Sequence, residues 1–264
     1  HPRLHLFDTR PPPVPAIFGT LREARLQIAF PLISDLPVER LRVSATGRAS
    51  EVRVPRALLG KDLERGVFEF SADTEGLRIN GTGVLAGIPL RIQQEADFRP
   101  GNANQVVARE VVTGRADARQ IAGLGLDPRP FVEGQVGIDS RSETRRNGQT
   151  RVRLRTDFTQ SRLAVDALSW AKPPGVTSAG EAMLILQNGT LQRIEGIRVT
   201  APDALLRGTA GETRDNIPGR IEIQQAQFGR NRMTGEIFPP RAGAAGWHLA
   251  LRGPVLDLAP VLAA

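Results

Sequence analysis

The chain has 264 residues, a net charge of +7 and no cysteine. The lack of cysteine excludes disulfides, thiolate catalysis and cysteine-ligated metal sites. Only 5% of the residues are aromatic and tyrosine is absent, so any core is aliphatic and the stacking platform of single-strand nucleic-acid binders is missing. Acidic residues are interspersed with arginine instead of forming blocks, and we therefore expect no nucleic-acid partner.

Alternation of apolar and polar residues dominates the chain. Residues 1–18, with Pro11-Pro12-Pro13 and Pro15, predict an extended lead-in. Residues 19–264 predict an elongated antiparallel β domain, because a period of two places apolar side chains on one face of a strand. The predicted strands are 24–30, one beginning at 41, 67–72, 77–85, one carrying Ile88, Leu90 and Ile92, 105–113, 134–142, 149–158, 161–170, 180–187, 191–200, 204–210, 219–228, 232–238 and 246–252.

Turn and helix signals interrupt this pattern at a few points. Ala116–Leu124 predicts one short helix, with Asp117 as its N-cap and Gly123 and Gly125 at its end. The helix, within 116–130, marks a point at which the domain could divide into two sub-segments. Ala57–Lys61 predicts a short helical turn.

Three dipeptides predict tight turns between strands. Asn147-Gly148 and Asn188-Gly189 are strong hairpin signals, and a turn at Ala86-Gly87 would place the apolar residues on both sides of it on the same face. The architecture predicted from the pattern alone is therefore a meander of hairpins.

One predicted strand shows most clearly an apolar face opposite a charged one. In Arg151–Phe158, Val152, Leu154 and Phe158 fall on one face, and arginines alternate with them on the other. An open apolar groove and the closed core of a β-sandwich both need such a face. The alternation leaves both possibilities open.

No constellation of reactive residues is recognisable in the sequence. The three histidines, His1, His5 and His248, have no carboxylate at metal-ligand spacing, and nucleophile, phosphate-binding and zinc-helix motifs are absent. Carboxylates such as Asp139 and Glu143 alternate with arginine, which is typical of surface ion pairs. We expect no enzymatic activity, no catalytic residue, no metal and no cofactor.

The order of several soft motifs resembles the AsmA-like superfamily, in particular its YhdP-like branch. The segments that carry the resemblance are Gly19–Ile28, the G-T-G-x-x-x-G-x-P hairpin Gly81–Leu90 with Glu95–Phe98 after it, Leu124–Pro128 with Phe131–Gly134, the L-x-W-x-K-P-x-G segment Leu168–Gly175, and the L-D-L-x-P-containing ending Gly253–Leu262. Together they cover nearly the whole chain.

The resemblance implies a long, curled antiparallel meander that forms an open half-pipe with one short helix. It further implies the periplasmic portion of an inner-membrane-anchored protein, which carries phospholipid between the inner and outer membranes and has no catalytic residues. Known members have an N-terminal membrane helix that is missing here, so we expect this chain to be a fragment of a longer one whose other parts contact membranes.

Ten apolar residues are the candidates for the lining of such a lipid groove. They are Leu77, Ile79, Ile88, Leu90, Ile92, Val152, Leu154, Phe158, Ile221 and Ile223. The alternative interpretation is a non-catalytic envelope scaffold or protein-binding module, with a closed β-sandwich core and a partner at an edge strand.

Overall fold

A computed structural model describes residues 17–31, 42–58, 60–124, 127–214, 217–238 and 248–255. Nearly all of the predicted lead-in, 1–18, lies outside them. The elements in chain order are β1 (Phe18–Ala29), β2 (Arg42–Leu58), β3 (Lys61–Asp73), β4 (Gly76–Leu85), β5 (Ile88–Asp97), β6 (Val106–Asp117), α1 (Ala118–Ala122), β7 (Val132–Arg145), β8 (Gln149–Asp157), β9 (Ser161–Val165), a 3-10 turn (Asp166–Leu168), β10 (Trp170–Lys172), β11 (Ala179–Gln187), β12 (Thr190–Ala201), β13 (Ala204–Arg214), β14 (Ile217–Phe228), β15 (Asn231–Phe238) and β16 (His248–Val255).

The described strands form one open antiparallel sheet that does not close into a barrel. Each strand of the main path pairs with its neighbour in the chain, except that β8 pairs with β11. The short strands β9 and β10 lie off this path, with β9 paired to β10 and to the start of β7. The fold is thus an open, curled meander with a single short helix, and the closed β-sandwich alternative is wrong.

Two local predictions of secondary structure are wrong. Ala57–Lys61 is not helical, because β2 and β3 meet there in a tight hairpin with Leu58 opposite Lys61 and Gly60 at φ +73°. The predicted strand 161–170 is broken at Asp166–Leu168, and Ser169 adopts a left-handed conformation with φ 47°. In both segments strand pairing and long-range packing override the local sequence pattern.

The predicted helix exists but is shorter than its sequence pattern. Ala116 and Asp117 still belong to β6, so α1 begins only at Ala118. Asp117 Oδ1 accepts hydrogen bonds from the amides of Arg119 (2.9 Å) and Gln120 (2.8 Å), and Gln120 Oε1 accepts from the Asp117 amide (2.8 Å). This capping box confirms Asp117 as the N-cap, and Gly123 ends the helix.

Strand pairing sorts the side chains into two faces, because residues directly opposite each other in an antiparallel pair share a face. One row of such partners crosses the sheet from β2 to β16. It consists of Gly47, Phe70, Ile79, Gln94, Glu110, Ser142, Val152, Leu184, Ile194, Ala210, Ile221, Ile237 and Leu249. We call the face that carries this row the apolar face and the opposite one the charged face.

Bulges and glycines let the sheet curl. Register shifts occur where Glu23, Glu51, Arg65 and Gly196 adopt positive φ, and such bulges bend a strand and increase its twist. On the apolar face the space above some strands is already taken. A Cβ at Gly81 would clash with the Val67 carbonyl oxygen and would lie 2.6 Å from Phe68 Cδ1.

The two rims of the sheet, where the strands end, differ in what they carry. One rim has the turns at 60, 86–87, 202–203 and 229–230, together with α1 and the excursion 158–178. We call it the capped rim. The opposite rim carries the turns at 74–75, 146–148 and 188–189, and we call it the open rim. Gly148 and Gly189 sit in those turns at φ +81° and +79°, which confirms both Asn-Gly hairpin predictions.

Candidate functional site

All ten residues predicted to line a groove belong to one surface. Pairing places nine of them on the apolar face, and the ring of Phe158, just after β8, lies over Gly180 of that face. Their environments differ, however. Ile88 and Ile223 are 1% and 2% exposed, whereas the other eight are partly buried.

The first buried cluster lies at the capped rim of β2 to β5. Val52, Leu63, Phe68 and Leu85 form it, and Leu124 packs on it from the segment after α1. Gln120 of α1 donates a hydrogen bond from Nε2 to the Gly87 carbonyl oxygen at 2.6 Å. The helix and the residues that follow it therefore cover this end of the apolar face.

The second buried cluster lies at the capped rim of β14 and β15. It contains Ile223, Ala226 and Met233, and Leu168 of the 3-10 turn packs against it. Trp170 of β10 meets Phe228 edge to face, with ring centroids 5.2 Å apart. The excursion 158–178 thus reaches from β8 across to β14 and covers this end too.

Lys172 holds the excursion in place. It is 2% exposed, and its Nζ donates to the carbonyl oxygens of Phe158 (2.6 Å), Ser161 (2.7 Å) and Thr159 (3.3 Å). Burial lowers the pKa of its ammonium group. The fully buried Ser161 donates in turn to the Gln135 carbonyl oxygen of β7 at 2.7 Å.

The sequence pattern alone did not predict that Lys172 anchors the excursion, although the rarity of lysine in this chain was a signal. Lys172 and Lys61 are the only lysines among the 35 basic residues. A compact ammonium with three donors suits three converging carbonyls, whereas a planar guanidinium does not. A rare lysine in an arginine-rich chain was therefore informative.

Towards the open rim the apolar face loses its cover. Leu77, Ile79, Ile92 and Val152 are all partly buried there. Polar side chains also join the face. Gln94, Glu110 and Ser142 are direct cross-strand partners, and Thr144 and Thr150 lie 2.9 Å apart between their hydroxyl oxygens.

The charged face carries a ladder of alternating charges across five strands. Arg78, Glu95, Arg109, Glu143 and Arg151 are successive cross-strand partners from β4 to β8. Arg109 Nε lies 3.1 Å from Glu143 Oε1, and Arg78 Nε lies 3.4 Å from Glu95 Oε1. These pairs are exposed and contribute little stability each, but they keep the outside of the sheet hydrated.

Some carboxylates on the hydrophilic surface have a more local role. Asp139 pairs with Arg141 at 3.2 Å, whereas Asp157 accepts from the Thr159 amide at 2.9 Å. The hydrogen bonds from Thr159 lower the pKa of Asp157. The amide of Arg56 and the guanidinium of Arg53 likewise lower the pKa of Asp62. All of these are structural arrangements and none resembles a catalytic pair.

A pocket of about 420 Å³ lies outside the apolar face, at the start of β7. Arg119, Arg129, Phe131 and Arg162 contribute to its wall. Arg129 makes a bidentate ion pair with Asp127. The hydrogen bonds from its guanidinium lower the pKa of the Asp127 carboxyl group. The arginine side chains are exposed, so the pocket is an arginine-lined feature of the surface.

The described ranges hold neither a metal-ligand cluster nor a membrane-spanning helix. They contain no group of three His, Cys, Asp or Glu side chains that could hold a metal ion. His248 lies on the edge strand β16 with its ring centroid 6.1 Å from that of Phe238, while His1 and His5 fall outside the described residues. Within the same ranges, no helix has the length and apolarity needed to cross a membrane.

Comparison of the chain with protein-family models, curated proteins and solved structures gives no match.

Proposed function

We propose that this chain is a segment of a periplasmic, inner-membrane-anchored protein that binds phospholipid acyl chains on its apolar face and carries lipid between the inner and outer membranes. One observation supports the proposal above all others. Directly paired positions form an unbroken row across thirteen strands of an open sheet, and its polar members are confined to three adjacent positions on β5 to β7. A long, one-sided apolar surface of this kind is typical of a site that binds an apolar ligand, a membrane or another protein.

Energetics favour a hydrocarbon occupant. Each methylene transferred from water to an apolar surface contributes about 0.8 kcal/mol, so one acyl chain supplies a strong, non-directional attraction. Aliphatic side chains such as Ile92, Val152 and Leu184 offer such a surface without fixed polar partners. Contacts of this kind are non-directional, so an acyl chain can move between neighbouring aliphatic positions of the face.

The two rims suggest how lipid lies on the sheet. The capped rim is filled by Leu124, Leu168 and Trp170 and leaves little room for a chain. The open rim has polar turns and a partly exposed apolar face beside it. Acyl chains then lie along the order of the strands, and headgroups face the open rim.

Photo-crosslinking tests this proposal directly. A photoreactive residue at Leu154, on the apolar face, is expected to label phospholipid in protein exposed to vesicles. The matched control is Arg153, one residue away on the charged face. Equal labelling at both positions, or none at position 154, would contradict the proposal.

A second candidate function is supported by the edge strand β1. Every residue of β1 is exposed, and Phe18, Leu21, Leu26 and Ile28 are each more than half exposed. An exposed apolar edge strand is a template for strand addition by a protein partner, as in a non-catalytic envelope scaffold or binding module. Replacing Leu26 and Ile28 with lysine would then abolish capture of that partner and leave lipid labelling at position 154 unchanged.

A further inference from the structure

Glu110 is an anomaly on the apolar face. In the paired register of β4 to β8 it is the one ionisable residue on that face, between Gln94 of β5 and Ser142 of β7. The other positions of its own strand on the same face are Ala108, Val112, Gly114 and Ala116. A carboxylate in such surroundings costs free energy unless something compensates its charge.

The part of the chain that the structure describes supplies no such compensation. Within the described ranges the Glu110 carboxylate has no hydrogen-bond or ion-pair partner, and the nearby arginines of β5 to β8 lie on the charged face. The side chain is partly buried, and burial raises its pKa. A lipid that covers this face would remove the water around the carboxylate, so a cation carried by the lipid itself is favoured next to it.

We infer that Glu110, Gln94 and Ser142 form a headgroup subsite that takes a lipid with an ammonium group, the ammonium pairing with the Glu110 carboxylate. This inference rests on the proposed lipid function and adds selectivity to it. The amide of Gln94 and the hydroxyl of Ser142 supply donors for phosphate or ester oxygens beside the ammonium.

Charge complementarity disfavours anionic headgroups at this subsite. An anionic headgroup without an ammonium would meet the carboxylate of Glu110 and find no arginine on this face between β4 and β8. Like charges at close range disfavour binding, whereas a charge-assisted hydrogen bond favours it. Zwitterionic amine lipids are therefore preferred over anionic glycerol lipids.

The test is lipid selection from mixed vesicles. The chain is incubated with vesicles of equal phosphatidylethanolamine and phosphatidylglycerol, re-isolated, and its bound lipids are quantified by mass spectrometry. We expect ethanolamine lipid to be enriched about five- to tenfold, as for one partly exposed charge-assisted pair. Glu110→Gln should bind as much total lipid with the enrichment lost.

Glu181→Gln is the matched control, because Glu181 is exposed on the charged face opposite Arg155. It should keep the enrichment of the unmodified chain. Enrichment retained in Glu110→Gln overturns the headgroup subsite. Absence of lipid from the unmodified chain overturns the proposed function instead, so the two failures are distinguishable.

A soluble amine is the other source of an ammonium group. Phosphoethanolamine without acyl chains, added in excess, should leave the bound lipid ratio unchanged, because the apolar face supplies most of the affinity. If it abolishes the enrichment without reducing total lipid, the site takes free amines and the lipid-specific inference is overturned.

Discussion

The two ends of the same strands differ in how deeply their apolar side chains are buried. In β5, Ile88 at the capped rim is 1% exposed, while Leu90 and Ile92 further along are only partly buried. In β14, Ile223 is buried and Ile221, two residues nearer the open rim, is not. An identical alternation of residues thus builds a filled core at one rim and an open surface towards the other.

The difference comes from two short segments outside the main path of the sheet. Leu124 covers the cluster of β2 to β5, and Leu168 and Trp170 cover the cluster of β14 and β15. A single curled sheet has no second layer to bury its apolar face, so these segments supply one locally. The fold stays anchored along one rim while most of the apolar face remains available.

The largest expected effect separates the two regions directly. Ile88→Asp buries an unpaired carboxylate at the capped rim and should cost about 4 kcal/mol or more, abolishing the cooperative thermal transition. Leu154→Asp places the same group where water reaches it and should cost less than half as much, while phospholipid capture falls. Equal destabilisation of both variants in denaturant titrations would show that the apolar face is a continuous core.

Lys172→Met should have the next largest effect, about 2–4 kcal/mol, because it removes the buried ammonium shared by three carbonyl oxygens, of which those of Phe158 and Thr159 keep a backbone amide donor. Hydrogen exchange should then show loss of protection in 158–178, with little change at the open rim. Lys61→Met is the control, since Lys61 is exposed beside a hairpin turn. Unchanged protection in Lys172→Met would mean that packing of Trp170 alone holds the excursion.

Glycine substitution distinguishes the two faces with a smaller effect. Gly81→Ala places a methyl group against Val67 and Phe68 on the apolar face and should lower the free energy of unfolding by about 1–3 kcal/mol. Gly211→Ala, at an exposed position with nothing within 4 Å, should be neutral or slightly stabilising. Chemical denaturation of both variants measures the difference, and equal costs would argue against crowding on the inside of the curl.

The smallest effect concerns the pH dependence of Glu110. Its pKa is raised in the folded state above the ordinary 4.5, so folding favours the protonated form, and this contribution is lost as pH rises through the folded value. Glu110→Gln should therefore be more stable than the unmodified chain at pH 7, by less than about 1 kcal/mol. The gain should vanish below pH 4.5. Melting temperatures across this range check the sign, and a gain independent of pH would exclude a charge effect.

Much of the site could be predicted from residue alternation. Val152 and Leu154 share a face with Ile79, Ile92 and Ile221 because a period of two leaves no other arrangement once strands pair directly. Glycine turns at Gly87, Gly148 and Gly189 kept that face continuous from hairpin to hairpin, as the dipeptides predicted. Local chemistry sufficed for these features because each depends on neighbours in the chain.

Other features depend on contacts between distant residues, and no local pattern contains them. Whether Ile88 or Leu90 is buried depends on where segments after α1 and β8 fold back, and the break at Asp166–Leu168 is needed to bring Leu168 and Trp170 to β14. Whether the strands form one open sheet or a closed sandwich also depends on contacts between distant residues. Alternation specifies that one face must avoid water, but long-range packing alone specifies what lies against it.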